Sequence, residues 1–271
     1  MKLSTPLTTI LCTVPAFAAP FTSQRRDRHL KRAAQRQSNP PIPVVETTLD
    51  STHVGIPVNT THAEYSTNWA GAVLIGTGYK SVTGTIVVPT PSIPSGGSSK
   101  TEYAASAWVG IDGDTCSTSI LQTGVDFYVQ GSTVSFDAWY EWYPDYAYNF
   151  ASIPISAGNT ITMTVTASSV SGGSATVTNE STGKTVTHTF TAQSAHLCET
   201  NAEWIVEDFS SSGGLVPFAD FGKVEFTGAS ASTGSATVGV TGASILDIKQ
   251  SGTVLTSCAV SGSSGVVCDY V

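Results

Sequence analysis

A dozen short runs rich in Val, Thr, Ile and aromatic residues, each closed by Gly, Ser or Pro, leave this chain few ways to fold. They are NWAGAVLIG, VTGTIVVP, YAASAWVGID, ILQTGVDFYV, VSFDAWYEWY, TITMTVTAS, SATVTNE, TVTHTFT, AEWIVEDF, KVEFTGA, TVGVTGASILDI and TVLTSCAV. Helical signals are almost absent. Strands at this spacing mean an all-β sandwich or barrel. The stretch PTPSIPSGGSSK (89–100) reads as an exposed loop, and no repeat of fixed period is present.

Alternation sorts strand side chains onto two faces. In AASAWVGID, Ala105, Ala107, Val109 and Ile111 face one way, with Ser106, Trp108, Gly110 and Asp112 opposite. In ILQTGVDF, Leu121, Thr123, Val125 and Phe127 form the core face, leaving Ile120, Gln122, Gly124 and Asp126. In the aromatic run WYEWYPDYAY, Trp139 and Glu141 share a face with Asp137 and Tyr143, while Ala138, Tyr140 and Trp142 lie behind. In NAEWIVED, Ala202, Trp204 and Val206 read as core, against Asn201, Glu203, Ile205 and Glu207. Four strands thus offer a face mixing acidic, polar and aromatic groups. A solvated face would carry Lys, Thr and Ser, so this one predicts a cleft.

The N-terminus has a different character. An early Lys, a short apolar stretch and Ala16-Phe17-Ala18 read as a secretory signal over residues 1–18, too short to span a bilayer. A basic, then Pro-rich, segment follows (19–60), with Arg25, Arg26, Arg28, Lys31, Arg32 and Arg36. Beyond Thr60 there are five Lys, no Arg and seventeen acidic residues, a formal charge of −12. The abrupt switch predicts a propeptide held by charge against an acidic domain spanning 61–271. So few cations exclude nucleic acid and anionic membrane as partners. They also suit an acidic medium, where protonation relieves self-repulsion without breaking ion pairs.

Cys116, Cys198, Cys258 and Cys268 make an even count in an exported chain, so two disulfides are expected. Pairing Val260 with Val266 across a C-terminal hairpin sets Cys258 opposite Cys268. Cys116–Cys198 follows by elimination, contributing on the order of 4 kcal/mol in the chain-entropy model. No CxxC or Cys/His spacing suggests a metal. Asn59 and Asn179 head N-glycosylation sequons.

The usual catalytic sets are missing: there is no GxSxG, HExxH or paired Asp-Thr-Gly signature. Carboxylates, carboxamides and aromatics remain. A carboxylate can act as general base on water and an amide N–H can stabilise an oxyanion, roles that Glu203 and Gln122 can fill. Glu141 with Glu203 is the alternative, a glycosidase pair. A carbohydrate-binding module would also present Trp and Tyr on a β face.

Five motifs in order, NWAGAVLIG, SAWVGIDGDTC, ILQTGVDF, AWYEWYPDYAY and CETNAEWIVEDF, resemble the glutamic peptidases, the eqolisin family of fungal acid proteinases. The resemblance runs from about Glu64 to the C-terminus. It implies an antiparallel β-sandwich of two large sheets, of jelly-roll or concanavalin type, and a secreted endopeptidase made as a zymogen. The implied catalytic pair is Gln122 and Glu203, with Glu203 activating water and Gln122 steadying the oxyanion. Trp108, Asp112, Asp126, Trp139 and Glu141 match the substrate cleft. The expected partners are polypeptide substrates and the chain's own propeptide as inhibitor. A monomer without cofactor is expected.

Overall fold

The computed structural model describes residues 35–44 and 64–271. The expected signal sequence, most of the basic segment and Asn59 lie outside these residues. Thirteen strands of six residues or more carry the fold. They begin with β1 (Trp69–Ile75), β2 (Ser81–Val87), β3 (Tyr103–Ile111), β4 (Ile120–Gln130) and β5 (Thr133–Tyr143). β6 (Thr160–Ser169), β7 (Gly172–Asn179), β8 (Lys184–Phe190), β9 (Asn201–Glu207) and β10 (Lys223–Ser232) follow. β11 (Ser244–Gln250), β12 (Thr256–Ser261) and β13 (Gly265–Tyr270) complete the set. No helix occurs among the described residues.

The strands form two large sheets. One runs β11–β1–β9–β3–β4–β5, the other β8–β7–β6–β2–β10–β13–β12. Within both, these long strands pair antiparallel; the short strand Glu64–Ser66 adds to β11 in parallel. Neighbours in a sheet are therefore often far apart in sequence, as β9 is from both β1 and β3.

Strand alternation builds the sandwich. Val109, Leu121, Val125, Phe127, Trp204 and Val206 of the first sheet meet Val82, Ile86, Ile161, Met163, Val165 and Val177 of the second in one core. Each has its apolar side chain nearly or wholly removed from water, worth about 1.5–3 kcal/mol apiece before entropy is counted. Trp204 also ties the layers together, because its Nε1 donates to the Thr83 carbonyl at 2.8 Å. The five tryptophans, Trp69, Trp108, Trp139, Trp142 and Trp204, all sit on strands of the first sheet.

The second sheet turns its threonines outward. Thr83 pairs with Thr164 (2.7 Å), Thr85 with Thr162 (2.9 Å), Thr176 with Thr187 (2.9 Å) and Thr178 with Thr185 (3.0 Å) through their hydroxyls. Such cross-strand pairs each contribute roughly 0.2–1 kcal/mol, and none depends on a charge.

Both expected disulfides are present, Cys116–Cys198 and Cys258–Cys268. The second closes the hairpin in the expected register, with Val260 opposite Val266. One expectation meets an obstacle. Asn179 is fully buried, and its Nδ2 donates to the Pro154 carbonyl (2.9 Å) and to Asn159 Oδ1 (3.0 Å). Both amide hydrogens are committed inside the fold, so a glycan on Asn179 would break these two bonds. The sequon is read by glycosylation machinery from sequence, but burial is a tertiary property that sequence does not display.

Candidate active site

Register alone assembles a polar patch on the outward face of the first sheet. One row across the strands reads Glu141, Gln122, Gly110, Glu203. The next reads Trp139, Gly124, Trp108, Ile205, and a third Asp137, Asp126, Ser106, Glu207. Gln122 and Glu203 thus stand two strands apart, about 9–10 Å between Cα atoms, with a glycine between them.

That glycine keeps the space open. A Cβ on Gly110 would lie 2.8 Å from Trp108 Cζ3 and 3.3 Å from Glu203 Oε2. Gly110→Ala is expected to lower kcat by about tenfold to a hundredfold, the scale of a small misplacement of reacting groups. Steady-state kinetics on the folded fraction, set by denaturant unfolding, would check it. In the next row Gly124 plays a packing role, since a Cβ there would meet Trp108 Cβ at 2.6 Å and Trp139 Cζ2 at 2.7 Å.

Gln122 and Glu203 are fully buried, yet neither carboxamide atom of Gln122 and neither carboxylate oxygen of Glu203 has a hydrogen-bond partner among the described residues. Such groups cost roughly 1–3 kcal/mol each and are rare in folded chains. Burial pushes the Glu203 carboxyl well above the usual range, the charges of Asp112 and Asp114 push it further, and the Asp114 backbone N–H pulls back.

Asp112 acts at one remove. With φ at 68° it ends β3, and its carboxylate accepts the N–H groups of Cys198 (2.7 Å), Glu199 (2.8 Å), Thr200 (2.7 Å) and Asn201 (3.2 Å). Those residues lead into β9 and Glu203. From the other side, Asn201 Oδ1 accepts the N–H of Thr115 at 2.9 Å, beside the Cys116–Cys198 bridge. A carboxylate so engaged has no spare acceptor for substrate, and its place is behind the Glu203 loop. Asp112→Asn is expected to destabilise the fold by about 3 kcal/mol through stranded N–H groups, read by denaturant unfolding.

The remaining cleft candidates meet around one cation. Arg36 is 1% exposed and reaches the patch from the segment 35–44. Its Nε donates to Asp126 Oδ2 (2.7 Å) and its Nη2 to Asp126 Oδ1 (3.0 Å) and Ser106 Oγ (3.1 Å). Nη1 donates to Glu141 Oε2 at 3.3 Å and Ser38 Oγ at 3.0 Å. The guanidinium lies 3.6 Å from the centre of the Trp139 ring. Trp108 is a neighbour: its Nε1 donates to Glu207 Oε2 at 2.9 Å and its ring meets Trp69 edge-on. Burial raises the Glu141 carboxyl well above its ordinary range and Glu207 to about 7, while Arg36 draws both back.

The main chain of this segment is also held. Arg36 and Gln37 pair with Ser211 and Ser210, and Ala147 N–H donates to the Arg36 carbonyl at 3.0 Å. Ser38 N–H donates to Glu141 Oε2 (3.1 Å) and Asn39 N–H to Glu207 Oε1 (3.2 Å). Buried Asn68 reads the backbone at both ends, accepting from Ile42 N–H (2.8 Å) and donating to the Asn39 and Pro40 carbonyls.

Sequence reasoning placed Trp108, Asp126, Trp139 and Glu141 on this face but gave Ser106, Asn68 and Glu207 no role. Glu207 was legible as the second acid along from Glu203 at period two; Asn68 carried no signal. Nothing singled out Arg36 among the six basic residues of the leader.

The family model of the peptidase A4 family matches residues 67–270. The chain belongs to that family. These are the glutamic peptidases, or eqolisins, and the chain is an enzyme of that type with their all-β sandwich. It is 54% identical over 284 residues to aspergillopepsin-2 of Aspergillus niger, covering 98% of this chain and 99% of that one. To scytalidopepsin B of Scytalidium lignicola it is 41% identical over the whole of both chains. A crystal structure of scytalido-glutamic peptidase with a transition state analog inhibitor superposes with a TM-score of 0.69 at 45% identity, covering 76% of this chain and 98% of that one. The two-sheet core described above is thus a peptidase A4 fold.

Proposed function

We propose that this chain is a secreted acid endopeptidase, made latent, in which Glu203 and Gln122 cleave peptide bonds of proteins. The observation that carries the reading is the row Gln122, Gly110, Glu203: two buried functional groups without partners among the described residues, facing each other across a residue with no side chain.

Ionised Glu203 takes a proton from water as the oxygen adds to the peptide carbonyl. The carbonyl electron pair becomes an oxyanion, which accepts a hydrogen bond from Gln122 Nε2. Glu203 then passes its proton to the nitrogen as the C–N bond breaks, restoring the carboxylate. A carboxyl held above its usual range is the stronger base when ionised, and a ready donor once protonated. Every step uses protein groups and water.

The segment 19–60 is the propeptide in this reading, and Arg36 is its anchor. The buried pairing of Arg36 with Asp126 and Glu141 supports inhibition by occupation of the cleft. The glycosidase alternative fares less well, because Gln122 stands between Glu141 and the gap at Gly110, where two carboxyls should flank one bond.

The test is cleavage of acid-denatured protein at about pH 3 by processed enzyme, with pepstatin present and a polysaccharide assay beside it. Pepstatin-resistant proteolysis is expected. Polysaccharide cleavage without proteolysis would sink the reading.

A further inference from the structure

Arg36 does more than block; it displays what the cleft recognises. Resting on the peptidase reading above, we infer that Asp126, Glu141 and Ser106, roofed by Trp139, form a specificity subsite for an arginine side chain of the polypeptide substrate.

The pocket is built for a guanidinium. Asp126 meets Nε and Nη2 with both oxygens, a fork that the single point charge of lysine does not match. The flat group lies over the Trp139 ring, with the centre of the Phe209 ring 4.7 Å from the guanidinium carbon, and stacking of this kind favours arginine. All five N–H positions have a use, because Nη1 serves Glu141 and Ser38 while Nη2 also reaches Ser106.

The walls hold each other without the segment. Tyr128 hydroxyl donates to Asp126 Oδ2 at 2.9 Å. Trp139 Nε1 donates to Ser106 Oγ at 3.2 Å, and Ser106 Oγ donates on to the Val125 carbonyl at 3.3 Å. Glu141 Oε1 is buried with no partner even when Arg36 is seated. Only Ser38 among the side chains touching the guanidinium leaves with the segment; the acidic fork, the hydroxyl and the ring stay.

Position sets the range. Asp126 is four residues along β4 from Gln122, about 13 Å, and Glu141 is Gln122's direct neighbour across β5. An extended peptide advances about 3.3–3.6 Å per residue, so the favoured arginine falls within about four residues of the cleaved bond.

The experiment uses the processed enzyme at the least acidic pH at which it still cuts, where the subsite carboxylates keep most charge, and a quenched fluorescent peptide of uncharged residues. One position carries arginine, citrulline or norleucine in turn, walked through four places on each side of the cleaved bond. At one place arginine should raise kcat/KM about tenfold over citrulline, which keeps the planar shape but has a carbonyl oxygen in place of one NH2 group and no charge. In Asp126→Asn the arginine-to-citrulline ratio should fall to about one or below, a ratio that general damage to the enzyme leaves alone. Should that variant not fold, Ser106→Ala should still lower the ratio. Equal cleavage of arginine and citrulline peptides at every place overturns the subsite while leaving the peptidase reading intact. Failure to cut these peptides and any acid-denatured protein overturns both.

Discussion

Glu203→Gln is expected to lower peptide hydrolysis by about 10⁴-fold, the upper end of what one acid–base group contributes. The glutamine keeps the shape and the row but can neither take the water's proton nor return it to the leaving nitrogen, so both steps fail together. Gln122→Ala should cost less, about 10²–10³-fold, the scale of one lost oxyanion donor. The double variant should fall little below Glu203→Gln, because residues acting as a unit are not additive. Turnover measured with pepstatin present separates these from contaminating aspartic peptidases. Stability supplies the folding control, with a definite sign. The folded carboxyl is raised, so its contribution is present below the unfolded value of about 4.3 and is lost as pH rises through the folded value. Glu203→Gln should therefore unfold at higher denaturant than wild type near neutral pH. Retained activity in a stable Glu203→Gln enzyme would remove Glu203 from the mechanism.

The second large effect concerns latency. A synthetic peptide of residues 35–44 is expected to inhibit the processed enzyme, and Arg36→Ala in that peptide should weaken it about 10²–10³-fold, as when one partner of a buried charge pair is removed. The hold should also weaken as pH falls. Arg36 lowers the Glu141 and Glu207 carboxyls from where burial alone would set them. Protonating either carboxyl removes a negative charge that attracts Arg36, so acid opposes seating. Inhibition should be strongest above neutrality, where the carboxylates facing Arg36 are ionised, and decline on acidification. Inhibition constants measured across that range check the sign; an inhibition that tightens on acidification would contradict the linkage.

Much of this was legible because strands report their faces. The alternation that sets Trp204 and Val206 inward necessarily sets Glu203 and Glu207 outward, and the same holds for Gln122 against Leu121. The two disulfides were readable too, one from hairpin register and one by default. What alternation cannot supply is strand order. Nothing local to NAEWIVED says that β9 lies between β1 and β3, and so nothing local says that Gly110 separates Gln122 from Glu203. The role of Asp112 was hidden for a related reason. Its four partners are backbone N–H groups of residues 198–201, and backbone donors leave no mark on a sequence. Asn179 is the opposite case, a local motif set against burial.

Because every tryptophan belongs to the layer that bears the acidic cleft, the chain carries a built-in optical probe weighted to that layer, with Trp204 and Trp142 touching the inner side of the other. Intrinsic fluorescence will follow acid-linked changes around Arg36, Trp139 and Trp108, and will say little about the threonine-faced sheet. That sheet, whose hydroxyl pairs have nothing to titrate near neutral or acidic pH, needs far-ultraviolet dichroism or amide exchange to be seen.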